Sequence, residues 1–352
     1  MISTERSLVF HTEWWKRLKG NSPKYVLILI SPFLAGWFAL FIGAFNISPT
    51  MVLKILFNEV IAPPHFLDIP ERAIIIDIRL PRVILAGLVG IALSGSGVTL
   101  QGIFRNPLVD PFILGISAGA ALGCALSVGF FPQLPIQLMA FLFSILAVIL
   151  TYAVGRTQGE VSRLPLILSG VIISAFFTAM VSIVKFLVDP HKLQSIVFWL
   201  MGSFSLSDWR LVKIAGAGIT AGLLPVLLMR WRLNAMSMGE EEAEALGVNV
   251  KRERIMFIGA SSLAVSTAVS VSGIIGWVGL MVPHLVRMLI GPDHKTLVPL
   301  SMTAGAAFMV LTDTIARTLT DFDIPVGIIT AIVGAPFFVY LMKSGGRESW
   351  KK

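Results

Sequence analysis

The chain has 352 residues, of which 55% are hydrophobic and 14% are charged. A soluble domain carries about 25% charged residues, so the composition excludes an ordinary water-soluble protein and indicates an integral membrane protein. The net charge of +8 does not indicate nucleic-acid binding, because membrane proteins collect Lys and Arg in their cytoplasmic loops. The single cysteine, Cys124, excludes an internal disulfide framework and a cysteine-based metal cluster.

A basic arm precedes the first apolar segment. Residues 1–24 contain five Lys and Arg side chains, and residues 25–45 then run for 21 positions without a charge. About 20 apolar residues suffice to cross a bilayer as a helix, whereas a cleaved signal peptide has a shorter apolar region. The pattern predicts a first transmembrane helix after an amphipathic arm on the cytoplasmic side.

Seven further apolar segments each have the length of one span. They cover residues 83–104, 111–131, 134–155, 164–188, 211–229, 296–312 and 324–342. Residues 255–286 form a stretch of 32 positions without Asp, Glu, Lys or Arg, which is long for one helix and short for two.

The distribution of basic residues decides between nine spans and ten. With ten spans, 19 of the 28 Lys and Arg residues fall on the cytoplasmic side, whereas nine spans divide them 14 to 14. Because cytoplasmic loops are enriched in Lys and Arg, the sequence predicts ten spans with both termini cytoplasmic. The seventh and eighth helices are then expected to be short and joined by a turn near Ser272 and Gly273.

An acidic loop, residues 240–250, is the one strongly polar loop of any length on the predicted cytoplasmic face. Its helix-forming residues are followed by Gly247, a suitable residue after a helix end, and Asn249, a suitable cap for a second short helix. The loop has two interpretations. It is either a solvated connector or a docking knob whose Leu246 and Val248 insert into a soluble partner.

The sequence contains no recognisable catalytic motif. It contains no Gly-Lys dipeptide and therefore no phosphate-binding P-loop, so an ATPase would have to be a separate protein. It has no HExxH motif, and its five histidines are scattered. We therefore expect neither an enzyme nor a metal site.

Three ordered blocks of residues carry a family resemblance. They comprise LPR at residues 80–82, SGSGVTLQ at 94–101, RNPLVDP at 105–111 and LGISAGA at 114–120, then GWVGLMVPHLVR at 276–287 and GPDHK at 291–295, then IPVGIITAIVGAP at 324–336. In these blocks the chain resembles the FecCD-type permeases, which import iron siderophores, haem and vitamin B12. The resemblance covers residues 25–345.

The resemblance implies an all-α integral membrane protein with the ten-helix fold of the vitamin B12 permease, a type II ABC importer. Residues 1–24 would be a cytoplasmic arm, 25–345 the permease domain with a coupling loop at 236–253, and 346–352 a cytoplasmic tail. The implied partners in the cell membrane are two ABC ATPase subunits, which bind ATP and Mg, an extracytoplasmic substrate-binding protein, and a second permease, either identical or a paralogue. No cofactor is expected on this chain.

The resemblance also implies roles for particular residues. The residues implied to contact the ATPase are Glu240, Glu241, Glu242, Glu244, Ala245, Leu246, Gly247 and Val248. The residues implied to bind the substrate-binding protein are Arg79, Arg82 and Arg317. The cytoplasmic gate would be formed by Asn106, Leu108 and Ser162, and the periplasmic gate by Ser195, Trp199 and Met201. On the residues alone, the three arginines are equally consistent with helix-end side chains that snorkel to the membrane interface.

The main alternative is a secondary transporter driven by an ion gradient. Such a carrier is expected to place carboxylates near the middle of its spans, and the sequence has no Asp or Glu there. Lys185 and Asp313 lie near the outer ends of predicted spans and receive no role. A ferric siderophore is the commonest substrate in the resembling family, ahead of haem and cobalamin.

Overall fold

The computed structural model describes residues 23–43, 45–61, 70–156, 163–320 and 322–345. Within these ranges the chain forms helices and no β-strand, so the prediction of an all-α protein is confirmed. Residues 1–22 of the predicted cytoplasmic arm and the whole predicted tail, residues 346–352, lie outside the described ranges, as does the gate candidate Ser162.

The described helices are numbered here in chain order. They are α1 (Pro23–Phe41), α2 (Pro49–Ile61), α3 (Pro70–Phe104), α4 (Ile116–Phe130), α5 (Ile136–Gly155), α6 (Arg163–Leu187), α7 (Pro190–Leu200), α8 (Trp209–Met238), α9 (Glu240–Ala245), α10 (Val250–Ser272), α11 (Val278–Ile290), α12 (His294–Ala316) and α13 (Val326–Gly345).

Ten of the described helices cross the bundle. Seven, namely α1, α3, α5, α6, α8, α10 and α12, are long and apolar enough to span a membrane, and α4, α11 and α13 are shorter apolar helices. Arg79 and Arg82 in the first part of α3 contact the ends of α1 and α12, so α3 runs opposite to both. Because α13 also starts near these arginines, beside Gly202, both ends of the described chain lie at the other end of the bundle. We call this the hairpin end, because it holds the acidic loop, residues 240–250, in which α9 and the start of α10 form a helical hairpin. The opposite end, which holds Arg79, Arg82 and Arg317, is the arginine end. The prediction of about ten spans is confirmed.

The predicted short seventh helix is wrong, whereas the short eighth helix is confirmed. The seventh span, α10, has 23 residues, because it begins at Val250, five residues before the apolar segment, and four of those five residues are charged. The eighth span, α11, has 13 residues, which at about 1.5 Å per residue is shorter than the hydrocarbon core. Gly273, with φ of +72°, ends α10 at the predicted turn.

Among the seven long helices, three are mostly buried and lie at the centre of the bundle. The buried share of the most apolar 18-residue segment is 78% in α3, 72% in α10 and 67% in α12. In α1, α5, α6 and α8 it is 33% or less. Gly90 lies against the main chain of Gly305, and Gly97 lies against that of Gly279, so that a Cβ at either position would overlap backbone atoms. Small residues allow this close approach, which drives helix association in lipid.

The connection between α3 and α4 differs from the predicted continuous third span. Residues Pro111–Leu114 form a 3-10 turn, and Gly115 then adopts φ of +82° before α4 starts. Asp110 caps this turn by accepting a hydrogen bond from the N–H of Phe112 at 2.8 Å. The left-handed conformation at Gly115 separates the turn from the helix.

Candidate transport and coupling sites

The acidic loop is a helical hairpin that projects from the hairpin end. Helix α9 ends at Ala245 with Leu246 as its C-cap, and Gly247 follows with φ of +79°, as its identity predicts. The Asn249 side chain accepts a hydrogen bond from the N–H of Arg252 at 3.0 Å. Asn249 is therefore a helix cap as predicted, but it caps the long α10 and not a second short helix.

The exposed surface of the hairpin contains most of the predicted coupling residues. Glu240, Glu241, Glu242, Glu244, Ala245, Leu246 and Gly247 are all exposed. Leu246 is 62% exposed, whereas Val248 is 5% exposed and belongs to the hydrophobic core. Of the two apolar residues predicted to insert into a partner, Leu246 projects outward and Val248 packs inward against its own chain.

Glu240 connects the hairpin to two transmembrane helices. Its Oε1 accepts hydrogen bonds from Arg163 Nη2 at 2.9 Å and from Arg254 Nη2 at 2.7 Å. Arg163 is the first residue of α6, and Arg254, which is 8% exposed, lies in the first turns of α10. The Glu240 carboxylate therefore joins the start of α9 to the starts of α6 and α10.

The turn after α3 lies beside this junction. Arg105 adopts φ of 50°, and its Nε donates to the carbonyl of Met236 at the end of α8 at 2.9 Å. Asn106 Oδ1 accepts from the N–H of Leu108 at 2.9 Å, and the Leu108 side chain is 44% exposed. Burial raises the pKa of the nearby Asp110 carboxyl to about 6, against the opposing hydrogen bond from Phe112. The two described candidates for the cytoplasmic gate thus form one tight, partly exposed turn.

A buried polar cluster at the hairpin end was not predicted from the sequence. Gln101 Oε1 accepts from Arg287 Nη2 at 3.0 Å, which joins α3 to α11. Asn234 Oδ1 accepts from the N–H of His294 at 2.8 Å, and Asn234 Nδ2 donates to Asp293 at 2.6 Å. These contacts link α8 to the start of α12.

The three predicted docking arginines come together at the arginine end. Arg79, Arg82 and Arg317 are 3, 8 and 8% exposed. Arg79 Nη1 donates to the carbonyl of Leu40 at 2.8 Å, and Arg317 donates to the carbonyl of Ala39, so both hold the end of α1. Their guanidinium groups point into the protein and do not snorkel outward. The docking role stays a prediction.

Two acidic residues bind Arg82. Its Nε and Nη2 donate to the Asp313 carboxylate at 2.9–3.1 Å, and its Nη1 donates to Asp323 Oδ2 at 2.7 Å. Asp313, which received no role from the sequence, is 1% exposed. Asp323 also accepts from Ser205 Oγ at 2.7 Å. Partial burial acts to raise the pKa of Asp323, but the hydrogen bonds from Arg82 and Ser205 outweigh it and hold the pKa below its usual value.

Two of the predicted periplasmic gate residues, Ser195 and Trp199, lie in α7, and Met201 is the residue that follows its last turn. Asp189 caps α7 by accepting from the N–H groups of His191 and Lys192 at 3.1 Å. Ser195 is exposed, and Trp199 is half-buried.

The end of α7 is joined to the start of α13 by main-chain hydrogen bonds. The N–H of Val326 donates to the carbonyl of Gly202 at 2.9 Å, and that of Gly327 donates to Met201 at 3.1 Å. An open apolar cavity of about 520 Å³ lies at this junction and is lined by Leu200, Met201, Ile274, Gly327, Ile328, Ala331 and Ile332. Of the three gate candidates, Met201 therefore borders an apolar surface near the arginine end.

Comparisons with known proteins give the family. The model of the FecCD transport family matches residues 28–344. A probable iron chelatin transport system permease protein of Helicobacter pylori is 47% identical over 282 residues, which is 79% of this chain and 86% of that protein. The molybdate import system permease protein MolB of Haemophilus influenzae is 41% identical and covers 87% of this chain and 91% of its own length.

A solved structure agrees with these relatives. An inward-facing conformation of a metal-chelate type ABC transporter superposes with a TM-score of 0.81 at 37% identity, covering 92% of this chain and 99% of that chain. The relatives are transport permeases and not enzymes. Together with the ten apolar helices, these matches establish that the chain is a multi-pass membrane protein and belongs to the FecCD transport family.

Proposed function

We propose that this chain is the membrane permease subunit of an ABC importer that takes up a metal chelate with ATP hydrolysed on a separate subunit. The observation that carries the proposal is the family match over residues 28–344, which includes nearly all of the described ten-helix bundle. The names of relatives include iron chelatin, hemin, cobalamin and molybdate transport. A ferric siderophore is the proposed substrate, with haem or cobalamin as the next candidates.

The proposed orientation places the hairpin end in the cytosol. The positive-inside distribution of Lys and Arg supports this orientation, and so does the exposed Leu246 at the tip of an acidic hairpin. The hairpin, within the coupling loop at residues 236–253, would seat on one of two ATPase subunits. The arm at residues 1–24 and the tail at 346–352 would lie on the same side.

The arginine end would then face outward and receive the substrate-binding protein. The proposed docking residues are Arg79, Arg82 and Arg317, and a partner carboxylate would have to compete there with main-chain carbonyls or with Asp323. Two permeases, identical or paralogous, would line one pathway. It would be closed from outside by Ser195, Trp199 and Met201 of the α7 segment and from inside by the turn with Asn106 and Leu108, together with Ser162.

An ion-gradient carrier is less well supported. The buried carboxylate of Asp313 lies near one end of α12 and is neutralised by Arg82, so it does not provide a free cation ligand in the middle of a span. ABC importers and carriers also differ in their energy source, and this difference provides the test.

Reconstitution into liposomes tests the proposed function. Vesicles that contain the chain and its partner ATPase, supplied with loaded binding protein, are expected to accumulate the chelate with ATP and Mg²⁺, and vanadate should abolish the accumulation. Vesicles lacking the ATPase, or containing ADP, are the matched controls. Equal accumulation by the chain alone under an imposed proton or sodium gradient would instead identify a secondary transporter.

A further inference from the structure

A cleft opens between α5 and α8 near the arginine end, away from the sites described above. Both helices pack on α10 but scarcely touch each other, so α10 forms the floor of a gap. The cavity has a volume of about 570 Å³. Its apolar lining includes Phe141, Ile214 and Leu263, and its end nearer the arginine end, which we call the mouth, is lined by Gln137, Asp208 and Arg210.

The surface around the cleft faces lipid in a membrane-spanning chain. Leu138 and Ile214, on the two flanking helices, are 48 and 43% exposed. In α10, the hydroxyl groups of Thr267 and Ser270 donate to carbonyls of their own helix at 2.8 Å. Their hydrogen-bond donors are therefore already satisfied, and an apolar ligand can lie beside them. An empty apolar gap loses van der Waals contacts along its walls, which a hydrocarbon chain would restore.

The mouth combines one cationic and one anionic side chain. Asp208 and Arg210 are both exposed, and none of the ion pairs in the described part of the chain involves either of them. Asp208 Oδ1 caps α8 by accepting from the N–H of Leu211 at 2.7 Å. An Arg side chain matches a phosphate, and a carboxylate matches a primary ammonium group.

We propose that the cleft binds one phospholipid of the leaflet at the arginine end, and that this lipid is an aminophospholipid such as phosphatidylethanolamine. An acyl chain lies along Phe141, Ile214 and Leu263, the phosphate contacts Arg210, and the ammonium group contacts Asp208. A phosphatidylglycerol head group lacks the ammonium, and the quaternary ammonium of phosphatidylcholine cannot donate a hydrogen bond to Asp208. The site does not depend on what the chain transports.

Native mass spectrometry of the full-length chain in detergent, titrated with each of these three lipids, tests the proposal. Phosphatidylethanolamine is expected to bind about tenfold more tightly than the other two. Asp208→Asn keeps a good helix cap and is expected to abolish the preference over phosphatidylglycerol. Arg210→Gln is expected to weaken binding of all three about tenfold. Lys213→Gln is the control, because Lys213 is exposed on α8 but does not line the cleft.

Three results would overturn the proposal. The first is equal binding of the three lipids by the natural chain, and the second is an unchanged preference in Asp208→Asn. The third is loss of the bound lipid whenever two copies of the chain assemble, which would identify the second copy as the occupant of the cleft. Ile214→Trp, which fills the apolar part without altering the mouth, is expected to abolish lipid binding while the chain elutes as a folded protein.

Discussion

Replacing Asp313 with Asn is expected to destabilise the folded chain by about 3–5 kcal/mol, because the change leaves the guanidinium of a buried arginine without its main counter-charge. Arg82 is 8% exposed, and it donates to Asp313 through both Nε and Nη2. Asp323 remains as a partner, but it is more exposed and contacts Nη1 alone. Thermal unfolding of the purified chain in detergent measures the loss.

An exposed ion pair of the same type provides the control. Glu59 binds Arg72 at 2.8 Å, with side chains 33 and 25% exposed. Since exposed pairs contribute about 1 kcal/mol or less, Glu59→Gln should leave the unfolding temperature nearly unchanged. Equal shifts for Asp313→Asn and Glu59→Gln would contradict the structural role assigned to the Arg82–Asp313 pair.

Replacing Glu240 with Gln is expected to reduce ATP-driven uptake at least about tenfold while the assembled transporter still hydrolyses ATP. The carboxylate connects the hairpin to α6 through Arg163 and to α10 through Arg254, and charge-assisted hydrogen bonds are about twice as strong as neutral ones. Without them, we expect movement of the hairpin to reach the spanning helices less completely. Uptake and hydrolysis are measured on the same proteoliposomes.

Glu241→Gln is the matched control for this experiment. Glu241 lies beside Glu240 in α9 and is also exposed, so the control changes the charge of the hairpin equally. It should leave both rates near those of the natural chain. If the two variants lose uptake equally, or if hydrolysis falls in step with uptake in Glu240→Gln, the hairpin charge acts at the ATPase surface and not through α6 and α10.

The sequence predicted those features of the fold that local physics determines. Apolar segment length and the distribution of Lys and Arg predicted ten spans, and cap chemistry predicted the turn at Gly247 and the cap at Asn249. The length of α10 was missed because hydropathy detects the apolar part of a helix and not its polar first turns. The break at Gly115 was missed for a similar reason, since the flanking residues are apolar on both sides.

Contacts between residues far apart in the chain could not be predicted from the sequence. Arg82 and Asp313 are separated by 231 positions, so no periodicity or motif connects them, and Asp323 gave no signal of its own. Likewise, the family resemblance implied a docking surface at the three arginines, but the inward orientation of Arg79 and Arg317 depends on carbonyls at the end of α1. The burial of Val248 depends on how the hairpin folds back on the bundle.

The orientation of the chain in the membrane is the claim on which the transport account depends, and thiol labelling tests it directly. Cys124 is the single cysteine and is buried, so a Cys124→Ala background offers no thiol of its own. Leu206 at the arginine end is 89% exposed, and Leu246 at the hairpin end is 62% exposed. In intact cells, a membrane-impermeant maleimide should label Leu206→Cys and not Leu246→Cys, and inverted vesicles should show the opposite pattern. Labelling of Leu246→Cys from outside intact cells would contradict the account.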